Sequence, residues 1–149
     1  IYQILAKKEY VLGFMFDEAL TKVALIRKTK PEWQKGLLNG IGGKLEKGEN
    51  YFECIQREFE EETGFKTNDE FWDLYHEMEG NDFYVGCFYG VGDLSKLVSM
   101  EEEKIEIVDL KDVHVLREDM VENLCWLISL AYDSMMDGRP HYSKSVYGL

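Results

Sequence analysis

The most constraining stretch of the chain is residues 43–65, GKLEKGENYFECIQREFEEETGF, where a glycine-led turn runs into a helix with a marked start and stop. Asn50 is a good N-cap, Glu53 three residues on completes a capping box, and Gly64 suits the left-handed position that ends a helix. The pattern predicts a helix over residues 50–63. At about 100° per residue, Glu58, Glu61 and Glu62 fall in one sector of about 100° beside the apolar stripe of Phe52, Ile55 and Phe59, while Glu53 and Glu60 turn toward water. Carboxylates held together beside a core repel one another. A solvated acidic face, raised pKa values or a bound hard cation such as magnesium would each relieve that repulsion.

The residues flanking the acids narrow the choice. Gly43 is followed after five residues by Glu49, and after seven more by Arg57-Glu58-Phe59; Glu61-Glu62 and Gly64-Phe65 complete the pattern. This spacing resembles the Nudix box and agrees with it at every fixed or class-restricted position, a far more specific signal than an isolated glycine motif.

Net charge limits the partners. At −12 the chain lacks the basic surface that nucleic-acid polymers or anionic lipid demand, so an anionic substrate has to be drawn in by a cation. Cys54, Cys87 and Cys125 are odd in number and widely spaced, which suits neither a disulfide framework nor a zinc site and fits a reducing cytoplasm. Residues 1–16 carry no secretory signal pattern, and no run of apolar residues is long enough for a membrane span. The length of 149 residues, 45% of them hydrophobic, predicts a single domain over residues 1–149.

Along the chain, residues 10–16 and 22–28 read as antiparallel strands around a turn. Residues 71–78 and 83–91 form a second pair joined at 79–82, and residues 104–110 form a further strand. Between the first pair and the box lies a polar loop, residues 30–39, carrying Trp33, and it leads into Gly40-Ile41-Gly42-Gly43. A last helix is predicted over residues 119–137, opened by Asp119 with Glu122 and stopped by Gly138 and Pro140. Strands, helix, strands, helix indicate an α+β or α/β/α layered domain. The resemblance sharpens this to the Nudix-type α/β/α sandwich, a mixed sheet between helices.

What the resemblance implies for activity is hydrolysis of a diphosphate linkage in a nucleoside diphosphate joined to another group X, with Mg2+ (or Mn2+) as cofactor. Glu58, Glu61 and Glu62 correspond to the metal-holding carboxylates, with the Gly42 carbonyl as a further ligand, and Arg57 to the residue that braces the helix through Glu49. The general base is either Glu58 or an acid in the 101–106 region, where Glu106 stands as MutT-type sequences would place it. Asn39 to Lys44 resembles the stretch of oxidised purine nucleoside triphosphate diphosphatases in which that asparagine meets the base. Lys44 is then a candidate phosphate contact, and Trp33 a candidate stacking platform in place of the tryptophan those relatives carry later. Glu118-Asp119 offers acids there without that tryptophan. The expected substrate is a small nucleotide, a nucleoside triphosphate before ADP-ribose or a dinucleotide, and the expected protein is a monomer or homodimer. A non-catalytic nucleotide sensor is the reading from another class; the intact set of box carboxylates argues against it. His76, His114 and His141 have no partner at metal-ligand spacing, and the tail from Arg139 onward reads as a lid, a dimer contact or a loose end.

Overall fold

The computed structural model describes residues 7–138 and 142–148. Strands β1 (Lys8–Phe16) and β2 (Lys22–Arg27) are followed by β3 (Leu38–Asn39), β4 (Ile41–Lys44) and helix α1 (Tyr51–Thr63). Then come β5 (Asp73–Glu79), β6 (Phe83–Val91), β7 (Lys104–Asp109), helix α2 (Leu124–Met136) and β8 (Ser143–Val146). The strands form one sheet in the order β3-β2-β1-β6-β5-β8, with β4 added to β1 and β7 to β2. Pairing is parallel for β1 with β6 and β5 with β8 and antiparallel elsewhere, so the sheet is mixed, as expected.

Alternation along the strands sorts side chains into two cores. Val23 and Leu25 of β2 join Phe14, Phe16, Leu124 and Ile128 on the α2 face, whereas Ala24 and Ile26 join Val11, Ile55 and Phe59 on the α1 face. Phe59 meets Trp72 edge-on with ring centroids 5.0 Å apart; truncating such a buried aromatic to alanine costs about 3–5 kcal/mol. The sheet is thereby the middle layer, and α1 is held rigidly against it.

Three expectations need correction. The segment before the box is not all loop, since Leu38–Asn39 and Ile41–Lys44 pair with β2 and β1. Helix α2 begins at Leu124, because Asp119 belongs to a short 3-10 turn and its carboxylate is taken by Arg27 Nη1 at 2.8 Å. The tail contributes β8, a polar strand that completes the edge beside β5. Arg139, Pro140 and His141, and the first six residues, lie outside the described residues. Among the described residues no helix is long and apolar enough to cross a membrane.

Candidate active site

Local chemistry sets α1 in place. Asn50 Oδ1 accepts from the Glu53 N–H at 2.8 Å, Glu53 Oε1 accepts from the Asn50 N–H at 3.0 Å, and Gly64 ends the helix at φ 72°. One face buries Cys54, Ile55, Phe59 and Thr63, which leaves the acids along the margin of the helix.

Arg57 organises that margin. Its Nε and Nη2 grip Glu49 at 2.7 and 2.9 Å, its Nη1 reaches Glu58 at 2.9 Å and Glu61 at 3.3 Å, and Nη2 also donates to the Lys44 carbonyl at 3.1 Å. This forked pairing holds the Glu49 carboxyl down at about 2, well below the ordinary carboxylate range. Glu58 goes the other way: burial raises its pKa despite Arg57.

Glu58 approaches the sheet because Gly43 has no side chain. A Cβ there would lie 2.4 Å from the Glu58 carboxyl carbon, and one on Gly42 would lie 2.0 Å from the Val11 carbonyl oxygen. The glycines that open the box therefore have a steric purpose.

Glu62 is the unsatisfied member. Burial lifts its pKa to about 7; Lys28 opposes the rise, while Glu103, Glu58 and Glu101 add to it. Its Oε2 is buried with no hydrogen-bond partner, and an unpartnered buried oxygen is costly unless something else satisfies it. Glu103 stands by through the β2–β7 register, which pairs Ile26 with Ile105 on the α1 face and so continues that face to Lys28 and Glu103. Only 7% exposed, Glu103 accepts from Lys28 Nζ at 2.9 Å and from the Thr29 N–H at 2.6 Å. Burial would raise its pKa, but those bonds outweigh it and hold the carboxyl below its ordinary value.

Glu106 is not brought to this group. It lies one residue over in β7, opposite Leu25, on the α2 face, and there its two oxygens take Arg27 Nε at 2.6 Å and Nη2 at 2.7 Å. Of the acids in that region, Glu103 and Glu101 adjoin the box instead. Lys28 was missed; the alternation Ala24, Ile26, Lys28 along one face was the available signal.

Asn39 follows Ile26 in register on the α1 face, with Nδ2 donating to Gln34 Oε1 at 3.0 Å and Oδ1 accepting from the Gly40 N–H at 2.8 Å. Trp33, in the same loop, is 70% exposed. The Lys44 side chain is exposed at the end of β4, and the Gly42 carbonyl belongs to the same strand.

These donors suit a hard divalent cation: all are oxygen, several are carboxylates, and Glu62 has an unpartnered atom. Among the described residues, no three Asp, Glu, His or Cys side chains yet converge as a finished metal cluster. Arg57 Nη1 spans Glu58 and Glu61 instead.

The family profile described as the NUDIX domain matches residues 7–127. Among solved structures, the fold is similar to the mutator MutT protein from Bacillus halodurans (20% identity, 94% of this chain and 90% of that one, TM-score 0.68). It is also similar to a NUDIX hydrolase from Nitrosomonas europaea (16%, 99% and 81%, TM-score 0.75) and to a MutT/nudix family protein from Enterococcus faecalis (17%, 95% and 67%, TM-score 0.76). No curated protein matches the chain in sequence. The domain match spans most of the chain and includes the whole glutamate helix with the glycines that seat it: this protein belongs to the Nudix hydrolase family.

Proposed function

We propose that the protein is a Mg2+-dependent (Mn2+-tolerant) nucleotide pyrophosphohydrolase that takes a nucleoside triphosphate, including oxidised purine forms, to the monophosphate and pyrophosphate. The observation that carries this reading is the buried, unpartnered Oε2 of Glu62, set among Glu58, Glu103 and Glu101. Glu58, Glu61, Glu62 and the Gly42 carbonyl would hold the cation, with Glu103 beside them. When bound, such a cation neutralises phosphate oxygens and makes a coordinated water more acidic.

The remaining roles belong to this chain's own groups. Arg57 fixes the helix to the preceding loop through Glu49 and the Lys44 carbonyl, and so orients Glu58 and Glu61. Proton abstraction from water falls to Glu58 or Glu103, since Arg27 occupies both oxygens of Glu106. Lys28 and Lys44 supply positive charge for the phosphate chain in an otherwise acidic protein. Asn39 and the exposed Trp33 are the groups for base contact and stacking. The proposed setting is the cytoplasm, with a small nucleotide as partner and the protein a monomer or homodimer.

A panel of canonical and oxidised nucleoside triphosphates, ADP-ribose and dinucleoside polyphosphates, assayed with Mg2+, tests this. Pyrophosphate and monophosphate released fastest from a triphosphate is the expected result. Faster cleavage of ADP-ribose or a dinucleotide would overturn the substrate class, and no turnover of any member would overturn the hydrolytic reading.

A further inference from the structure

Arg27, the last residue of β2, ties three separate segments together. Its Nε and Nη2 fork onto Glu106 of β7 at 2.6 and 2.7 Å, and its Nη1 is shared between Asp119 at 2.8 Å and the Gly36 carbonyl at 3.0 Å. Two carboxylates fix the plane of the guanidinium, so the third contact is a hold on the loop between β2 and β3. That loop closes at its base, where the Lys28 N–H donates to the Leu37 carbonyl and the Gly36 N–H to the Lys28 carbonyl, both at 2.8 Å. Its far corner is the short 3-10 turn Glu32–Gln34, from which Gln34 accepts the Asn39 Nδ2 donor at 3.0 Å. The two stems are held from different sides. On the glutamate-helix side Glu103 accepts from the N–H groups of Thr29 at 2.6 Å and Lys30 at 3.4 Å; on the other side Arg27 takes Gly36, backed by Glu106 and Asp119. Asp119 also precedes Met120, which bridges Leu38, and the Val121 N–H donates to the Leu38 carbonyl at 3.0 Å. The strand that carries Asn39 is thus steadied by the same cluster.

We propose that Arg27 is a positioning residue for base recognition: through the Gly36 carbonyl it sets the Trp33–Gln34 corner against Asn39, and it takes no part in holding the cation or the phosphates. This rests on the assignment of Asn39 and Trp33 to the base. The shape of the guanidinium matters as much as its charge. A lysine here keeps the charge but lacks the planar fork, so it cannot span Glu106, Asp119 and Gly36 at once. Because the stems are held separately, loosening the Gly36 side leaves Glu103 on Thr29 and Lys28. The kinetic effects should separate in the same way, with binding of the base weakened and the chemical step spared.

Amide hydrogen exchange and steady-state kinetics on the full chain test this with Arg27→Lys and, as a milder change, Asp119→Asn. In Arg27→Lys, KM for the best triphosphate should rise about tenfold, the size of losing one hydrogen bond to a charged group. Exchange over residues 28–37 should quicken, and discrimination against triphosphates with other bases should fall. The kcat and the magnesium-dependent rise in melting temperature should stay near the parent's. Asp119→Asn should move KM and base preference the same way by about threefold, and it carries the comparison if Arg27→Lys does not fold. Gln34→Ala added to Arg27→Lys should cost little more than either alone, since both act through one corner. Parental exchange would show that Arg27 does not hold the loop. Faster exchange with parental KM and base preference would make it structural only, and an equal fall in kcat on every triphosphate would place it in the chemistry. Should the parent cleave another class of substrate, or none, the proposed function fails; exchange, with calorimetric dissociation constants for the same nucleotides, then decides Arg27 separately.

Discussion

Glu58 occupies the space that any side chain on Gly43 would need, its carboxyl carbon lying 2.4 Å from where a Cβ would be built. Gly43→Ala should therefore leave the sheet and α1 intact while turning Glu58 away from its seat. A misplacement of about 1 Å near reacting groups costs about a hundredfold in rate. An unchanged circular dichroism spectrum with turnover lowered by that order is expected, and full activity would show that the position of Glu58 is irrelevant.

Glu103, just before β7, and Glu106, within it, should separate in function. Glu103→Gln is expected to lower turnover sharply and to loosen the loop that begins at Thr29, seen as a change in Trp33 fluorescence quenching. Glu106→Gln is expected to leave turnover near the parent's and to lower the melting temperature, because it weakens the hold on Arg27. Steady-state kinetics and melting curves on both variants check this, and the reverse pattern would restore Glu106 as the base.

Removing the Arg57–Glu49 pair should cost stability with a definite pH signature. Glu49 is held at about 2, below its ordinary 4.5, so its contribution is present above about pH 4.5 and is lost as pH falls toward 2. Glu49→Gln should lower stability at pH 7 by about 2 kcal/mol, as expected for charge-assisted hydrogen bonds with little exposure. The parent and variant denaturation curves should converge in acid.

Glu62 should act with the opposite sign. Its folded pKa of about 7 exceeds the ordinary 4.5, so between those values the folded chain keeps a proton that the unfolded chain has released. Metal-free stability then falls as pH rises from about 4.5 to 7 and levels off above, and Glu62→Gln should flatten that slope. Melting curves in chelator from pH 4.5 to 8 measure it.

Magnesium should reverse the penalty. A cation at about 100 times its dissociation constant, bound only to the folded state, adds about 2.7 kcal/mol. The melting temperature of the parent should rise by several degrees, and that rise should vanish in the Glu61→Gln, Glu62→Gln double variant, whose metal-free form should melt higher than the parent's. A parent indifferent to magnesium would return the acids to a solvated helix face.

What the sequence determined by itself was whatever depends on near neighbours. The capping box at Asn50 and Glu53, the left-handed stop at Gly64 and the spacing of Glu58, Glu61 and Glu62 are all read within one helix, and the structure keeps them. So are the strand runs, whose alternation is local. Tertiary structure decided the rest. Asp119 with Glu122 has the local form of a helix start, yet Arg27, distant in sequence, claims the Asp119 carboxylate and α2 begins later. The polar β8 exists as a strand because β5 offers it an edge, with His76 between the Ser143 and Ser145 hydroxyls. Which acid of the 101–106 region reaches the box was likewise a matter of register. Adjacent residues of a strand face opposite sides of the sheet, so the pairing of β2 with β7 sends Glu103 to the glutamate helix and Glu106 to Arg27.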